Sequence, residues 1–224
     1  MKKNNKKKPS PAADGATLPV AAVTWQTHVL EYGKAIAVAV VLALVIRSFV
    51  IQAFHIPSSS MVPTFLEGDR VLVTKFSFGL RNPFNNKIIF GTGLPQRGDV
   101  VIFKYPEEPS TDFVKRVIGL PGEKVEVVNG RIKINDFFID DPFGHYDNPY
   151  QVSSRNFGPV IVPDGQYFMM GDNRDFSNDS RVWGFVDISL LRGKAWRLYW
   201  SWNSSKGIPF MDRLRFDRLG VKII

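Results

Sequence analysis

The sequence predicts a mainly β fold in which an antiparallel β domain follows a single N-terminal transmembrane helix. Two observations predict it: one long apolar run near the N-terminus, and after it short segments rich in Val, Ile and Phe between turn residues. With 224 residues, the chain has room for one domain of about 150 to 200 residues and an appendage. We expect a basic tail over 1–33, an anchor over 34–54 and a β-rich domain over 55–224.

The apolar run predicts the anchor. Twelve consecutive apolar residues begin at Ala35, and the apolar character continues past Arg47 to Phe54. About 20 residues of helix span about 30 Å, enough to cross a bilayer, and the long Arg47 side chain can reach the interface. The tail is long and no small-x-small site follows the run, which favours an uncleaved anchor over a secretory signal. A helix buried in a protein core remains an alternative, because the uninterrupted run is short.

The net charge of +8 is unevenly distributed, and half of it lies in the first 34 residues, which contain six lysines and two acidic residues. Residues 1–24 show no helical or strand period and are predicted to be disordered. By the positive-inside rule, this tail lies in the cytoplasm and the β-rich domain on the outer side. A nucleic-acid-binding protein more often concentrates basic residues on one folded element, so no nucleic-acid partner is expected.

Strand and turn signals define the β-rich domain. Asn129-Gly130 supplies the two positive φ angles of a type I′ turn and predicts a hairpin, and Pro163-Asp164-Gly165 predicts a second turn. A loop rich in Gly, Asn and Pro is predicted over 79–98, a short helix over 187–192 and a terminal strand over 213–216. The other strands are predicted over 70–74, 100–104, 123–128, 131–135, 157–162, 166–170 and 195–202.

Residues 56–69, here called the serine segment, contain a candidate nucleophile. Ser58, Ser59 and Ser60 lie between Pro57 and Pro63. Each proline fixes its own φ and disfavours helix in the residue before it, so the three hydroxyls lie on a stiff, extended segment. A nucleophile needs a hydroxyl held in this way, but a serine-rich linker that leaves a membrane helix has the same composition.

The absence of cysteine limits the chemistry. Disulfides, thiolate catalysis and cysteine-containing metal sites are excluded, and the three scattered histidines give little support to a metal centre, so no metal or cofactor is expected. A serine nucleophile would then need a lysine as its base. Lys115 is the candidate, because strand alternation places it on one face with Phe113 and Val117. The alternative is an ordinary lysine on an edge strand.

Such a lysine must be neutral to accept a proton. A free lysine has a pKa of about 10.4, and lowering it to near 8 costs roughly 3 kcal/mol, which burial among apolar side chains can supply. Residues 171–181, here called the acidic loop, contain three aspartates, two arginines and Ser177. Carboxylate–guanidinium bonds would stiffen this loop and let it present a hydroxyl to the lysine. A calcium loop is the alternative, although the two arginines oppose a cation and the spacing departs from that of an EF-hand.

Four blocks of sequence resemble one known family. They are residues 56–69, 97–105 (RGDVVIFKY), 112–123 (DFVKRVIGLPGE) and 171–186 (GDNRDFSNDSRVWGFV). In this order they resemble the bacterial type I signal peptidases, membrane-anchored Ser-Lys proteases that remove signal peptides from exported proteins. The resemblance implies an exoplasmic antiparallel β catalytic domain with one N-terminal transmembrane helix, in the bacterial cytoplasmic membrane. It covers nearly everything from the anchor to the C-terminal region.

Carried over position by position, the resemblance implies roles for single residues. Ser60 matches the nucleophile and Lys115 its general base. Ser58 matches the serine that joins the Ser60 backbone N–H in the oxyanion hole, and Ser177 matches the hydroxyl that orients the lysine. Further matches are the salt-bridged supports Asp179 and Arg181 with Arg116 nearby, and the S1 and S3 pocket residues Phe54, Ile56, Phe113 and Val114.

Three features depart from the family pattern. Ser59 stands where many members have Gly, Glu123 replaces the commoner Asp, and a single anchor replaces the two spans of some members. Trp196, Tyr199, Trp200 and Trp202 are interpreted either as side chains at the membrane interface or as core residues.

The resemblance also implies partners. They are preproteins that carry a signal peptide cleaved at a small-x-small site, the lipid bilayer, and the secretion translocon. Two alternative functions are a peptidase specialised for one pilin or conjugation-type substrate, and an anchored β domain that binds exported peptides without cleaving them.

Overall fold

The computed structural model describes residues 25–81, 88–90, 93–146, 155–205 and 207–224, so the predicted disordered tail over 1–24 lies outside the described residues. The chain divides into two compact units, Met1–Leu42 and Ala43–Ile224. In the first unit the described residues belong to helix α1, Trp25–Phe49, which continues into the second. Its residues His28–Phe49 have a mean hydropathy of 2.2, and none of the most apolar stretch is buried, which does not fit a core helix. By length and composition, this helix can cross a membrane.

Helix α1 differs in its bounds from the predicted anchor over 34–54. It begins earlier, at Trp25, and ends at Phe49, and Ile51–His55 form a strand instead. The reason is tertiary: Ile51 to His55 pair along their whole length with residues 70–74 of the next strand. That pairing satisfies the backbone groups that a longer helix would have satisfied internally.

The second unit is mainly β, as predicted. Its strands are β1 Ile51–His55, β2 Asp69–Thr74, β3 Leu80–Arg81, β4 Ile88–Phe90, β5 Val100–Lys104, β6 Asp112–Gly119, β7 Lys124–Val128, β8 Arg131–Ile134, β9 Phe137–Phe138, β10 Phe157–Ile161, β11 Gln166–Met170, β12 Val186–Asp187 and β13 Leu191–Ser201. Seven form one sheet in the order β1-β2-β13-β5-β6-β11-β12, four form a second in the order β10-β7-β8-β9, and β3 pairs with β4. All described strand pairs are antiparallel.

Two local predictions are confirmed by backbone geometry. The hairpin β7–β8 turns through Asn129 and Gly130, whose φ angles are 50° and 80°, as a type I′ turn requires. A short 3₁₀ helix, Ile188–Leu190, lies within the predicted helix over 187–192, but β13 begins directly after it. The predicted loop over 79–98 contains β3 and β4, and its residues 82–87 and 91–92 lie outside the described residues.

The predicted terminal strand over 213–216 is wrong. Residues Phe210–Arg213 and Phe216–Arg218 form 3₁₀ turns, and Leu214 makes only an isolated bridge with Trp202. Strand β13 pairs with β5 only at residues 191–194, and beyond them its second edge meets the C-terminal segment through single bridges, such as Arg197 with Lys222. The 3₁₀ turns on both sides of Leu214 leave no extended run long enough to pair there as a strand.

The seven-stranded sheet is buried on both faces around its centre. Val100 and Ile102 of β5 pack in one apolar cluster, and Val101 and Phe103 pack in another on the opposite face. This explains why β5 is a continuous apolar run rather than an alternating one. The serine segment packs on the first of these faces, where Met61 and Phe65 are fully buried.

Candidate active site

The serine segment and β6 bring one predicted pair of side chains together. Lys115 Nζ donates a hydrogen bond of 2.5 Å to Ser60 Oγ, and the two residues are only 3% and 8% exposed. Strand β6 lies between β5 and β11 in the middle of the sheet, so the alternative of an edge-strand lysine is wrong. The pairing joins residues that are 55 positions apart in the sequence.

Burial lowers the pKa of Lys115 from 10.5 to about 8. The carboxylates of Asp179 and Asp172 act in the opposite direction, because they favour the charged ammonium, but loss of water around the amine is the larger effect. The Phe113 ring also lies near the amine, with its centroid 5.5 Å from Nζ. A substantial fraction of Lys115 is therefore neutral at mildly alkaline pH and can accept a proton from Ser60.

Hydrogen-bond donors lie next to Ser60 Oγ. The exposed Ser58 places its Oγ 3.4 Å from Ser60 Oγ. The backbone N–H of Ser60 makes no hydrogen bond with another described residue. Both donors are therefore available to a negatively charged oxygen that forms beside the Ser60 hydroxyl.

An apolar cleft of about 370 Å³ opens in front of the pair. All four predicted pocket residues line it, together with two apolar residues that sequence reasoning missed, Ile102 and Phe176. Ile102 pairs with Val114 across β5 and β6. Both strands were predicted from the sequence, but their pairing register was not, and only the register places Ile102 beside Val114. The predicted lining residues are Phe54, Ile56, Phe113 and Val114. A larger cavity of about 770 Å³, around Val50 and Trp196, includes neither Ser60 nor Lys115.

The predicted hydrogen bond between Ser177 and Lys115 is not formed. Ser177 Oγ is buried and has no hydrogen-bond partner among the described residues, while the lysine amine donates to Ser60. Ser177 still lies close to the pair through Gly171. A Cβ atom at Gly171 would lie 2.2 Å from Ser177 Oγ and 2.4 Å from the Ser60 carbonyl oxygen, so only glycine fits between them.

The predicted support pair Asp179–Arg181 is formed. Arg181 Nη2 lies 2.8 Å from Asp179 Oδ2, and the same carboxylate oxygen accepts a hydrogen bond of 3.0 Å from the Gly171 N–H. Asp179 also caps the short helix α2, Ser180–Trp183. Arg181 donates in turn to the Arg174 carbonyl oxygen at 2.7 Å. These bonds join the two ends of the acidic loop.

Arg116 supports the site through a different partner from the predicted pair. Its guanidinium makes two bonds, of 2.8 and 2.7 Å, to the carboxylate of Asp172, and both side chains are fully buried. Thr64 of the serine segment donates to the same carboxylate at 2.5 Å, and the Phe143 ring covers the guanidinium. Arg116 and Asp172 therefore tie the acidic loop to both β6 and the serine segment.

The carboxylates of the acidic loop are paired with arginines rather than arranged around a cation. Asp172 binds Arg116, Asp179 binds Arg181, and Asp175 lies 3.3 Å from the guanidinium of Arg155. Within the described ranges, no three His, Asp or Glu side chains are grouped so that they could hold a metal ion.

Two further contacts of the serine segment were missed. Asn173 donates from its backbone N–H to the Ser60 carbonyl oxygen and from its side-chain amide to the Ser59 carbonyl oxygen. The buried Asp69 binds Ser201 and Arg218, which lie more than 130 residues further along the chain. Asn173 was visible within the acidic loop, but nothing in the sequence pointed to Arg218.

A serine hydroxyl that is hydrogen-bonded to a buried lysine, in an apolar cleft and beside a second hydroxyl and a backbone N–H, is the arrangement of an acyl-transfer site. Comparison with known proteins agrees with this class. The family model described as "Signal peptidase, peptidase S26" matches residues 29–200. The chain belongs to this peptidase family.

Several relatives carry the same description. Signal peptidase I from Pseudomonas fluorescens and that from Pseudomonas aeruginosa are each 37% identical to this chain, over 86% of it and 78% of their own length. The probable signal peptidase I-2 of Synechocystis is also 37% identical, over 89% of this chain and 80% of its own length. A crystal structure of a signal peptidase I from Enterococcus faecalis has 31% sequence identity and a TM-score of 0.40, and the match covers 45% of this chain and 96% of that one.

Proposed function

We propose that this chain is a membrane-anchored serine endopeptidase that removes N-terminal signal peptides from exported proteins, with Ser60 and Lys115 as its catalytic dyad. One observation carries the assignment of the dyad: the hydrogen bond of 2.5 Å between the Ser60 hydroxyl and the buried Lys115 amine. The family of the chain and the names of its relatives support the reaction. They do not favour the alternatives of a specialised pilin-type peptidase or a non-catalytic peptide-binding domain.

The dyad performs the reaction in two steps. Neutral Lys115 takes the Ser60 proton as Ser60 Oγ attacks the scissile carbonyl carbon, and the resulting ammonium gives that proton to the leaving amine. The signal peptide is then held as an ester of Ser60. A water molecule gives its proton to Lys115 and attacks the ester carbonyl carbon. The bond from that carbon to Ser60 Oγ then breaks, the Lys115 ammonium returns the proton to Ser60 Oγ, and the signal peptide leaves with a new carboxyl group.

Three serines have separate roles in this mechanism. The Ser60 N–H and the Ser58 hydroxyl donate to the oxyanion, and one such donor contributes about 3 kcal/mol in comparable sites. The buried Ser177 hydroxyl, which has no partner among the described residues, supports a role in orienting Lys115 once the bond to Ser60 is broken. Asp179, Arg181 and Arg116 are structural supports of this arrangement.

The cleft supports cleavage after small side chains. Its walls are formed by Phe54, Ile56, Phe113 and Val114, and its volume of about 370 Å³ must also admit the substrate backbone. Small residues such as Ala at the first and third positions before the cut fit this space. The substrates are therefore preproteins with small-x-small sites.

The membrane assignment rests on helix α1 and on exposed aromatic side chains. Helix α1 would anchor the chain in the bacterial cytoplasmic membrane, with the basic tail in the cytoplasm and the catalytic domain on the outer face. Trp196, Tyr199 and Trp200 are 40%, 39% and 39% exposed, which favours contact with a bilayer surface over a core role. A domain held at the membrane would receive preproteins at the translocon.

The decisive experiment is cleavage of a purified precursor with an Ala-x-Ala site by the full chain in detergent. Ser60→Ala and Lys115→Ala are each expected to lower the rate at least about 10³-fold, because members of one catalytic unit fail together. Ser205→Ala and Lys133→Ala, which lie outside the cleft, make the same chemical changes and should cleave at the wild-type rate. Undiminished cleavage by Ser60→Ala or Lys115→Ala would refute the dyad.

A further inference from the structure

The peptide bond between Ser59 and Ser60 is held from outside the serine segment by one residue. The side-chain Nδ2 of Asn173 donates to the Ser59 carbonyl oxygen of this peptide at 3.2 Å, and its backbone N–H donates at 3.1 Å to the Ser60 carbonyl oxygen, which belongs to the next peptide. Val62 N–H also donates to the Ser59 carbonyl oxygen, at 3.1 Å, but it belongs to the same turn and moves with it. Asn173 is therefore the residue outside the serine segment that fixes the orientation of this peptide.

The geometry of a peptide bond transmits that contact to the reacting side of Ser60. A trans peptide is planar, and its C=O and N–H point in opposite directions. A donor that fixes the direction of the Ser59 carbonyl oxygen consequently fixes the direction of the Ser60 N–H. The same bond polarises the peptide and makes its N–H a stronger donor.

The Asn173 side chain is itself firmly held. It is 5% exposed, and the neighbouring Asp172 is fixed by its two bonds to the buried Arg116. The amide must present Nδ2 to Ser59, because a carbonyl oxygen accepts hydrogen bonds and cannot donate them. Asn173 Oδ1 then remains buried without a partner among the described residues. An unpaired buried oxygen costs stability, which points to a role for the other half of the amide.

We propose that Asn173 is the positioning residue of the oxyanion hole: its Nδ2–H holds the Ser59 carbonyl oxygen and thereby aims the Ser60 N–H at the oxyanion. The role rests on the proposed function, since it requires an oxyanion at Ser60. Asn173 does not line the cleft, so it acts through the Ser59–Ser60 peptide and not by touching substrate.

The test compares Asn173→Asp and Asn173→Ala in the full chain. Asp keeps the size of the side chain but replaces the donor by an acceptor that repels the Ser59 carbonyl oxygen, and Ala removes the donor. Each is expected to lower kcat about 10- to 100-fold. This decrease is no larger than the one that follows removal of a whole oxyanion donor. KM should stay within about twofold, because the cleft is untouched. In Asn173→Ala the pH at which kcat/KM rises should not move, whereas the carboxylate added in Asn173→Asp favours the charged amine of Lys115 and shifts that pH upwards.

A matched control is Asn135→Asp. Asn135 is exposed, and its Oδ1 accepts a hydrogen bond from the Lys124 N–H in the hairpin sheet, away from the cleft. The same chemical change at this position should leave kcat, KM and the pH profile at wild-type values. Melting temperatures of all variants show which of them fold. If Asn173→Ala does not fold, the isosteric Asn173→Asp still tests the proposal.

A second measurement distinguishes loss of the Ser60 N–H orientation from a general distortion of the cleft. A substrate-derived peptide aldehyde adds to Ser60: the Ser60 hydroxyl gives its proton to Lys115, the Oγ–carbon bond forms, the carbonyl π bond opens, and the new oxygen occupies the oxyanion position. Its inhibition constant should rise by the factor by which kcat/KM falls, whereas an uncleavable peptide that only fills the cleft should bind as before. Equal weakening of both ligands would overturn the positioning role.

The outcomes also separate this inference from the proposed function. Wild-type cleavage by Ser60→Ala would remove the proposed function, and the oxyanion hole with it. An inactive Ser60→Ala together with wild-type kcat in folded Asn173→Asp would leave the proposed function intact and refute only the role of Asn173.

Discussion

Lys115 meets two opposing demands at the scale of a single residue. It must lose its proton near neutral pH to act as a base, and the folded chain achieves this by burying the amine, which lowers its pKa to about 8. The rate of the proposed reaction should therefore rise with pH up to about 8, as the neutral amine accumulates. The same burial is unfavourable for folding wherever the amine is charged.

Lys115→Met is expected to stabilise the protein while abolishing cleavage. Because the folded pKa is about 8 and the unfolded pKa 10.5, the native state binds fewer protons than the unfolded state between these values. The full penalty, about 3 kcal/mol, therefore applies below pH 8 and vanishes as the pH rises towards 10.5. Denaturation curves of both proteins at pH 7 and pH 10 would measure this, and equal stability at pH 7 would contradict it.

Asp69 connects two elements that are far apart in the sequence. Its carboxylate accepts hydrogen bonds from the Leu66 N–H at 2.8 Å, from Ser201 Oγ at 2.6 Å and from Arg218 Nη2 at 2.6 Å, and it is fully buried. Arg218 also donates to the Thr64 carbonyl oxygen at 2.9 Å. Arg218, in the last C-terminal 3₁₀ turn, thus holds the serine segment at Thr64 and Asp69, on the C-terminal side of Ser60.

Arg218→Ala is expected to lower the free energy of unfolding by about 3 kcal/mol, because it leaves the Asp69 carboxylate buried with fewer partners. Lys124→Ala is the matched control. It removes a pair with Asp136 whose side chains are 38% and 67% exposed, and it should change stability by less than about 1 kcal/mol. Tryptophan fluorescence during urea denaturation of the full chain in detergent would compare the two. Similar losses for both variants would contradict a special role for Asp69.

Sequence patterns predicted the elements whose signals are local. The Asn129-Gly130 hairpin and the apolar strand β5 follow from turn chemistry and from side-chain type, and the apolar neighbours of Lys115 indicated its burial. Strand β1 was predicted as helix, since Ile51–His55 continue an apolar run and only their pairing with β2 reveals a strand. Contacts such as Asn173 with Ser59, which are 114 positions apart, have no local signal at all.

At the scale of the whole molecule, composition and fold separate two parts with different surroundings. The stretch His28–Phe49 has a mean hydropathy of 2.2 and its most apolar part is unburied, whereas the strands of the second unit enclose buried clusters and carry the candidate site. In the proposed function, a signal peptide would reach the enzyme as an apolar helix within the same bilayer. The proposed orientation would then place the catalytic domain where the cleavage site leaves the membrane.

The proposed orientation can be tested with single cysteines, because the natural chain contains none. Ser205→Cys lies in the exposed part of the β domain, and Ser10→Cys is the matched change in the basic tail. In intact spheroplasts, a membrane-impermeant maleimide should label Cys at position 205 and spare position 10, because the positive-inside rule retains the tail in the cytoplasm. Permeabilised cells should label both, which controls for reactivity. Labelling of position 10 in sealed spheroplasts, with position 205 protected, would reverse the topology and place the cleft on the wrong side for exported substrates.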